Sequence, residues 1–173
     1  MSRRIPTLTS QLNVYVDGGQ KLLGLATVTY PNFEAITETI TGAGIMGEMV
    51  IISSGQFSAM ELVMSFRHLL DDPMNYAVGK AYTFDCRTAI GYEDPTSYDI
   101  GQANERFSVR GPVKGINPGT RAPNAAADAT ISVACRRIEW FVDGAEKLLW
   151  DQHNVIYRHN GVDMYAPVRS IVG

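Results

Sequence analysis

Charge is scarce in this sequence. Only 19% of its 173 residues are charged, and fifteen Lys and Arg stand against eighteen Asp and Glu, a formal balance of −3. A dedicated nucleic-acid binder draws its affinity from phosphate-neutralising cations, so this balance argues against one, and the short basic arm Arg3–Arg4 does not reverse it. Long apolar runs are missing as well. The apolar runs are short, broken by residues such as Gly, Thr or Glu well before the roughly 18 consecutive residues of a membrane-spanning helix. The opening MSRRIPTLTSQLN carries two arginines with no apolar segment behind them. No secretory signal is therefore expected, and the chain should stay in the compartment where it is made.

Cysteine and histidine are too sparse to build a site. Cys86 and Cys135 cannot form a disulfide framework or a metal centre by themselves, and both fall in alternating apolar runs, so they are expected to be buried reduced thiols. His68, His153 and His159 show no H-x-x-x-H spacing, which leaves a zinc site without support. There is no G-x-S-x-G elbow, H-E-x-x-H pair, phosphate loop or catalytic cysteine signature. The neighbouring acids Asp71–Asp72 and Glu93–Asp94 each precede a proline, which is turn chemistry. Gly42-Ala43-Gly44-Ile45-Met46-Gly47 does satisfy G-x-G-x-x-G, with Glu61 a suitable distance downstream. That fingerprint needs a buried strand before it and a helix after it, whereas here Glu48-Met49-Val50-Ile51-Ile52 follows, a β-rich run. No catalytic residue, cofactor or metal is expected. An enzyme or a small-ligand-binding β-barrel is the weaker class of reading.

What the chain does have is β-strand patterning and an internal echo. Residues 12–23 read LNVYVDGGQKLL and residues 138–149 read IEWFVDGAEKLL, so V-D-G-x-x-K-L-L recurs 126 residues on. Each copy is an apolar run, an Asp-Gly turn and a second apolar run. That is a β-hairpin signature, because Asp-Gly tolerates the positive φ of a tight turn. Asp17–Gly18 and Asp143–Gly144 are therefore expected to be turns of equivalent geometry. Between the copies the period is mostly two. Met60, Leu62, Met64 and Phe66 alternate with Glu61, Val63, Ser65 and Arg67, as on a strand with one buried face. Residues 80–91, 104–114, 129–142 and 146–158 also read as strands.

Helix has two places to go. Asp71 or Asp72 before Pro73 could open a short helix over residues 74–78, and Asp163 could cap residues 164–171, limited by Pro167. The expected architecture is one domain over residues 1–173, mainly β and antiparallel, with one or two short helices and residues 1–9 as an N-terminal arm. Two stretches read as loops that a compact monomer does not need: 41–56, with four glycines, and 115–128, with two prolines and two glycines. Their apolar content points to docking against a partner.

Charge is also unevenly placed. No Lys or Arg occurs from Leu22 through Phe66, while Glu34, Glu38, Glu48 and Glu61 do, and residues 101–173 hold nine basic against seven acidic side chains. Such a stretch suits a surface that must not adhere to a polyanion.

Taken in order, N-V-Y-V-D-G, T-G-A-G-I-M-G, S-A-M-E-L-V-M-S-F, F-V-D-G-x-x-K-L-L and N-V-I-Y-R-H-N-G-V-D resemble the major tail tube proteins of contractile-tailed bacteriophages. The likeness runs over roughly residues 10 to 165, and the Pro/Ala-rich segment 117–127 departs from it. The resemblance implies a β-sandwich or half-barrel subunit that self-assembles into hexameric rings, stacked as a tube inside a contractile sheath. It implies as partners the sheath, tape measure, baseplate and tail terminator proteins. Double-stranded DNA would pass through without specific binding, no membrane would be involved, and the virion tail would be put together in the bacterial host cytoplasm. The same implications fit the tube of a phage-tail-like bacteriocin or of a type VI secretion apparatus. On this reading Gly42, Gly44, Ile45, Met46, Gly47, Met49, Val50 and Ile51 form a subunit interface. The basic-free stretch lines the lumen, through Glu34 and Glu38 or through Thr37, Thr39 and Thr41; strand alternation puts the two sets on opposite faces.

Overall fold

The computed structural model describes residues 4–22, 25–42, 44, 46–69 and 76–172. Within them the chain runs β1 (Ile5–Val16), β2 (Gln20–Lys21), β3 (Leu25–Thr29), β4 (Ala35–Ile40), β5 (Met49–Phe57), β6 (Glu61–Phe66), β7 (Ala81–Glu93) and β8 (Ile100–Asn117). It continues through β9 (Ala129–Ala134), β10 (Arg137–Val142), β11 (Ala145–Asp151), β12 (Ile156–His159) and β13 (Val162–Asp163) to a closing helix, α1 (Ala166–Val172). Every pairing is antiparallel. The fold is mainly β, as the period-two pattern predicts.

The main sheet has the order β13-β12-β11-β10-β8-β7-β1-β2. Strand β8 is long enough to serve two sheets: Ile100–Pro112 pairs with β7, whereas Val113–Asn117 pairs with β9, which leads on to β6 and β3. The crossing point is Gly111. A Cβ there would lie 1.8 Å from the Ala134 carbonyl oxygen, so only a glycine lets the backbone after β9 press against β8, where the Arg136 amide donates to the Arg110 carbonyl at 2.9 Å. A strand that changes sheets in this way brings two apolar faces together. Val14, Phe84, Phe107 and Ile138 from the main sheet and Leu62, Met64, Phe66, Ile131 and Val133 from the second belong to one core and are all but completely buried. Each such side chain contributes about 1.5–3 kcal/mol.

Several boundaries differ from the sequence expectations, each for a local reason. The run 129–142 is two strands, because the chain turns at Cys135–Arg136 to cross β8. The run 146–158 is also two strands, parted by a turn at 152–155 that Asp151 organises: its carboxylate accepts the His153 and Asn154 amides at 3.1 and 3.0 Å and the Asn154 side-chain amide at 2.7 Å. The C-terminal helix starts at Ala166, two residues later than expected, so Pro167 falls in its first turn, where no amide hydrogen is required. Asp163 precedes it and accepts the Tyr165 amide at 3.0 Å. The capping pair of the other expected helix, with residues 74 and 75, lies outside the described residues; Tyr76 and Ala77 are not helical, and Val78–Gly79 is a turn. The stretch 41–56 is not one loop. Its second half is strand β5, paired with β4 as a separate two-stranded sheet, and the described residues before it, 41, 42, 44 and 46–48, are irregular.

The internal echo has a structural counterpart. Asp17 and Gly18 have φ of 46° and 81°, and Asp143 and Gly144 have 49° and 76°. The first turn joins Val16 to Gln20 and the second Val142 to Ala145, so the first is one residue longer. Each turn aspartate is clasped by the adjacent strand. Asp17 donates its amide to the Thr83 carbonyl at 2.9 Å while its carboxylate accepts the Thr83 amide at 2.9 Å; Asp143 makes the same two bonds with Asn104, at 2.8 and 3.0 Å. A twofold operation carrying Thr83 onto Asn104 carries the Thr83–Arg110 pair onto Asn104–Ala89 and the buried Cys86–Phe107 pair onto itself. The sheet β2-β1-β7-β8-β10-β11 is thus pseudo-symmetric about Cys86–Phe107.

Candidate assembly surface

Strands β4 and β5 form a ribbon. The register sets Thr37 opposite Ile52 and Thr39 opposite Val50 on one face, and Glu38 opposite Ile51 and Ile40 opposite Met49 on the other. Ile36, Met46, Met49, Val50, Ile51 and Ile52 are all exposed, with Val50 at 59% and Ile52 at 65%. Two-stranded ribbons are marginally stable in water and large exposed apolar patches mark interaction sites, which makes this element the candidate surface. Its root is fixed. Phe57 at the end of β5 meets Phe33, Tyr157 and Trp150 edge to face, with ring centroids 5.9, 5.3 and 6.3 Å apart.

The residues singled out from sequence for an interface fall on this ribbon and its tip. Gly42, Gly44, Met46, Gly47, Met49, Val50 and Ile51 are exposed, whereas Ile45 lies outside the described residues. Glu34, Thr37, Glu38, Thr39 and Thr41 are exposed too. Ile36 shares the even-numbered face with Glu38 and Ile40, as alternation predicts, although the register is irregular between Ala35 and Thr37. Among the described residues, Glu34, Glu38 and Glu48 have no cation within ion-pair distance.

A second surface was not legible from the sequence: the face of the main sheet turned away from the core. Phe84, Cys86, Phe107, Val109 and Ile138 point inward, so Asp85, Arg87, Arg106, Ser108, Arg110, Arg137 and Glu139 point out. Asp85 is sandwiched by Arg87 at 3.0 Å and Arg106 at 2.8 Å, and Arg137 bridges Glu139 at 2.6 Å and Asp151 at 3.2 Å. Arg87 also lies 4.6 Å from the centre of the Tyr15 ring. The acids sit low and the cations high: the Asp85 side chain is 6% exposed, against 52% for Arg87 and 50% for Arg106. Burial pushes the Asp151 carboxyl up, but the Asn154 and His153 hydrogen bonds and the Arg137 charge outweigh it and hold that carboxyl below its ordinary range. Arg110 has no carboxylate within ion-pair distance among the described residues.

Cys86 and Cys135 are buried free thiols, each pushed up to about 12 by desolvation, which leaves them protonated and unreactive. Among the described residues, no three His, Cys, Asp or Glu side chains gather as a metal site, and no helix is long and apolar enough to cross a membrane.

The whole-chain pattern has counterparts among known proteins. The family model described as phage tail tube protein FII matches residues 6–173. A tail tube protein of Escherichia phage P2 is 24% identical over 173 residues, with 98% of each chain covered.

Proposed function

The chain belongs to the phage tail tube protein FII family and is a structural tail tube protein, and from that premise we propose that it self-assembles into hexameric rings that stack into the inner tube of a virion tail. In this reading a contractile sheath surrounds the tube, a tape measure protein occupies it during assembly in the host cytoplasm, and baseplate and terminator proteins close its ends. Double-stranded DNA moves through the bore without being bound. The subunit contributes structure and no catalysis.

The observation that carries self-assembly is the β4–β5 ribbon, a rooted element with apolar residues exposed on both faces. Burying that area on neighbouring subunits would return about 25 cal/mol per Å². Met49 and Ile51 then serve as contact residues, with Gly42, Gly44, Ile45, Met46 and Gly47 at the tip, while Val50 shares the face of Thr37 and Thr39. Both faces cannot do the same task. Glu38 shares its face with Ile36, Ile40, Met49 and Ile51, the stronger candidate for burial, so the threonine face with Thr37 and Thr39 is assigned to the lumen. Thr41 continues that side. An uncharged, cation-free lining gives phosphate nothing to bind. Negative-stain imaging of the purified protein at high concentration tests the proposal: rings or tubes support it, and a strictly monomeric protein with a ligand-filled cavity overturns it.

A further inference from the structure

We propose that the arginine-bearing outer face of the main sheet, on β7, β8 and β10, is the docking site for the acidic β4–β5 ribbon of a second copy of this chain. The inference rests on the self-assembly reading above and names the surface that receives the ribbon. Charge balance supports it from both sides. The ribbon and its flanks, Leu22 to Phe66, contain no Lys or Arg, and the ribbon's Glu38 and Glu48 have no cation partner among the described residues. On the sheet face Arg87, Arg106, Arg110 and Arg137 stand over Asp85, Glu139 and Asp151, which leaves one net positive charge, and among the described residues Arg110 is the cation of the four without a carboxylate. A partner bringing one or two carboxylates completes that set.

A polyanion fits less well. Three of the four guanidinium groups are already committed to carboxylates, so the face offers little phosphate neutralisation per subunit. The same face repeated around a bore would also collect cations where DNA has to slide, which argues for its being covered by protein. The dimensions agree. Rows Thr83–Arg110 to Arg87–Arg106 extend about 13 Å along the strands, and a two-stranded ribbon is about 5 Å between strand axes, so it lies within the width of β7, β8 and β10. The aliphatic stems of the arginines and the Tyr15 ring can cover Ile40, Met49 and Ile51 while the charged heads reach Glu38, which shares their face. A ribbon on one subunit meeting a different surface on the next is a heterologous contact, the kind that propagates into rings and stacks.

The test is a charge exchange between exposed groups with no ion pair among the described residues. One variant carries Glu38→Arg, a second carries Arg110→Glu, and a third carries both. Each is checked for a native β-type circular dichroism spectrum and then for its critical concentration of polymerisation by sedimentation. The first two should need at least about tenfold more protein to polymerise, and the third should return to within about threefold of the unsubstituted chain. Folded single-surface variants that polymerise normally, or a combined variant that does not recover, overturn the docking pair while leaving self-assembly standing. Failure of the unsubstituted chain to polymerise at any concentration overturns both. Salt-sensitive binding of duplex DNA that Arg110→Glu abolishes would make the face a phosphate site and overturn the proposal.

Discussion

Trp140 donates its indole N–H to the Glu105 carboxylate at 2.8 Å, on the core side of the main sheet. Glu105 stands where the pseudo-twofold operation would bring Phe84, so one half of the sheet puts a carboxyl where the other puts a phenyl ring. Burial pushes the Glu105 carboxyl up, the Trp140 bond opposes it, and the net direction is upward. The bond fixes the indole ring edge to face with Phe107, centroids 5.7 Å apart.

A carboxyl held above its unfolded value of about 4.3 binds a proton more tightly folded than unfolded, so its favourable contribution exists at low pH and is lost as pH rises through the folded value. Glu105→Gln keeps an oxygen for the indole and removes the charge. Its melting temperature should exceed that of the parent by about 2–4 °C at pH 7 and match it at about pH 4. Thermal unfolding followed across that range decides; an advantage independent of pH would refute the assignment.

Gly18→Val and Gly144→Val each force a β-branched residue into positive φ and should cost about 1–2 kcal/mol. The turns lie beside opposite ends of the β7–β8 pair and share no partner, so the double variant should show the sum. Urea midpoints would settle it, and a double variant no weaker than either single one would count against independent turns.

Gly111→Ala should be costlier than an ordinary strand substitution, because the new methyl meets the Ala134 carbonyl oxygen and not a movable side chain. A loss of at least about 2 kcal/mol is expected, with β9 and β6 the first to lose amide protection in hydrogen exchange. Uniform loss of protection across both sheets would argue against Gly111 as the crossing point.

Removal of residues 43–50 takes away the ribbon tip and leaves the core and the aromatic root in place. The variant should be a folded β monomer that forms no tubes. Normal tubes from it would disprove the interface assigned to the ribbon.

Thr37→Lys with Thr39→Lys tests the bore. Assembly should survive, while the tubes should acquire duplex DNA binding at about 50 mM salt that fades by about 200 mM, and a phage built from them should lose infectivity. If a ring structure puts residues 33–41 on the outer wall, the lumen assignment fails.

Strand β6 was legible because a single alternating face is all that Met60, Leu62, Met64 and Phe66 require. The Asp-Gly turns were legible for a similar reason, since turn chemistry is local. Strand ends at Cys135 and Asp151 were not: one depends on a crossing over Gly111, the other on three hydrogen bonds to one carboxylate. The arginine face was hidden because Arg87, Arg106, Arg110 and Arg137 become neighbours only through the pairing of β7, β8 and β10. The ribbon was visible as an apolar, glycine-bearing stretch with a β-rich run at 48–52, but the full length of β5 was not, because Gly55, with a φ of 76°, reads as a turn and sits inside the strand.

The pseudo-twofold about Cys86 and Phe107 bears on which way a tube points. Turning the central sheet end over end in its own plane returns nearly the same backbone, with an aspartate clasp at either end. A sheet of that kind cannot by itself distinguish top from bottom. The unidirectional sense of a tail, with one end for the capsid and the other for the cell surface, must then be written in what breaks the twofold: the β4–β5 ribbon, the return of β8 into the second sheet, and α1 beyond β13. Subunits stripped of the ribbon would have only the β8 return and α1 left to set that sense.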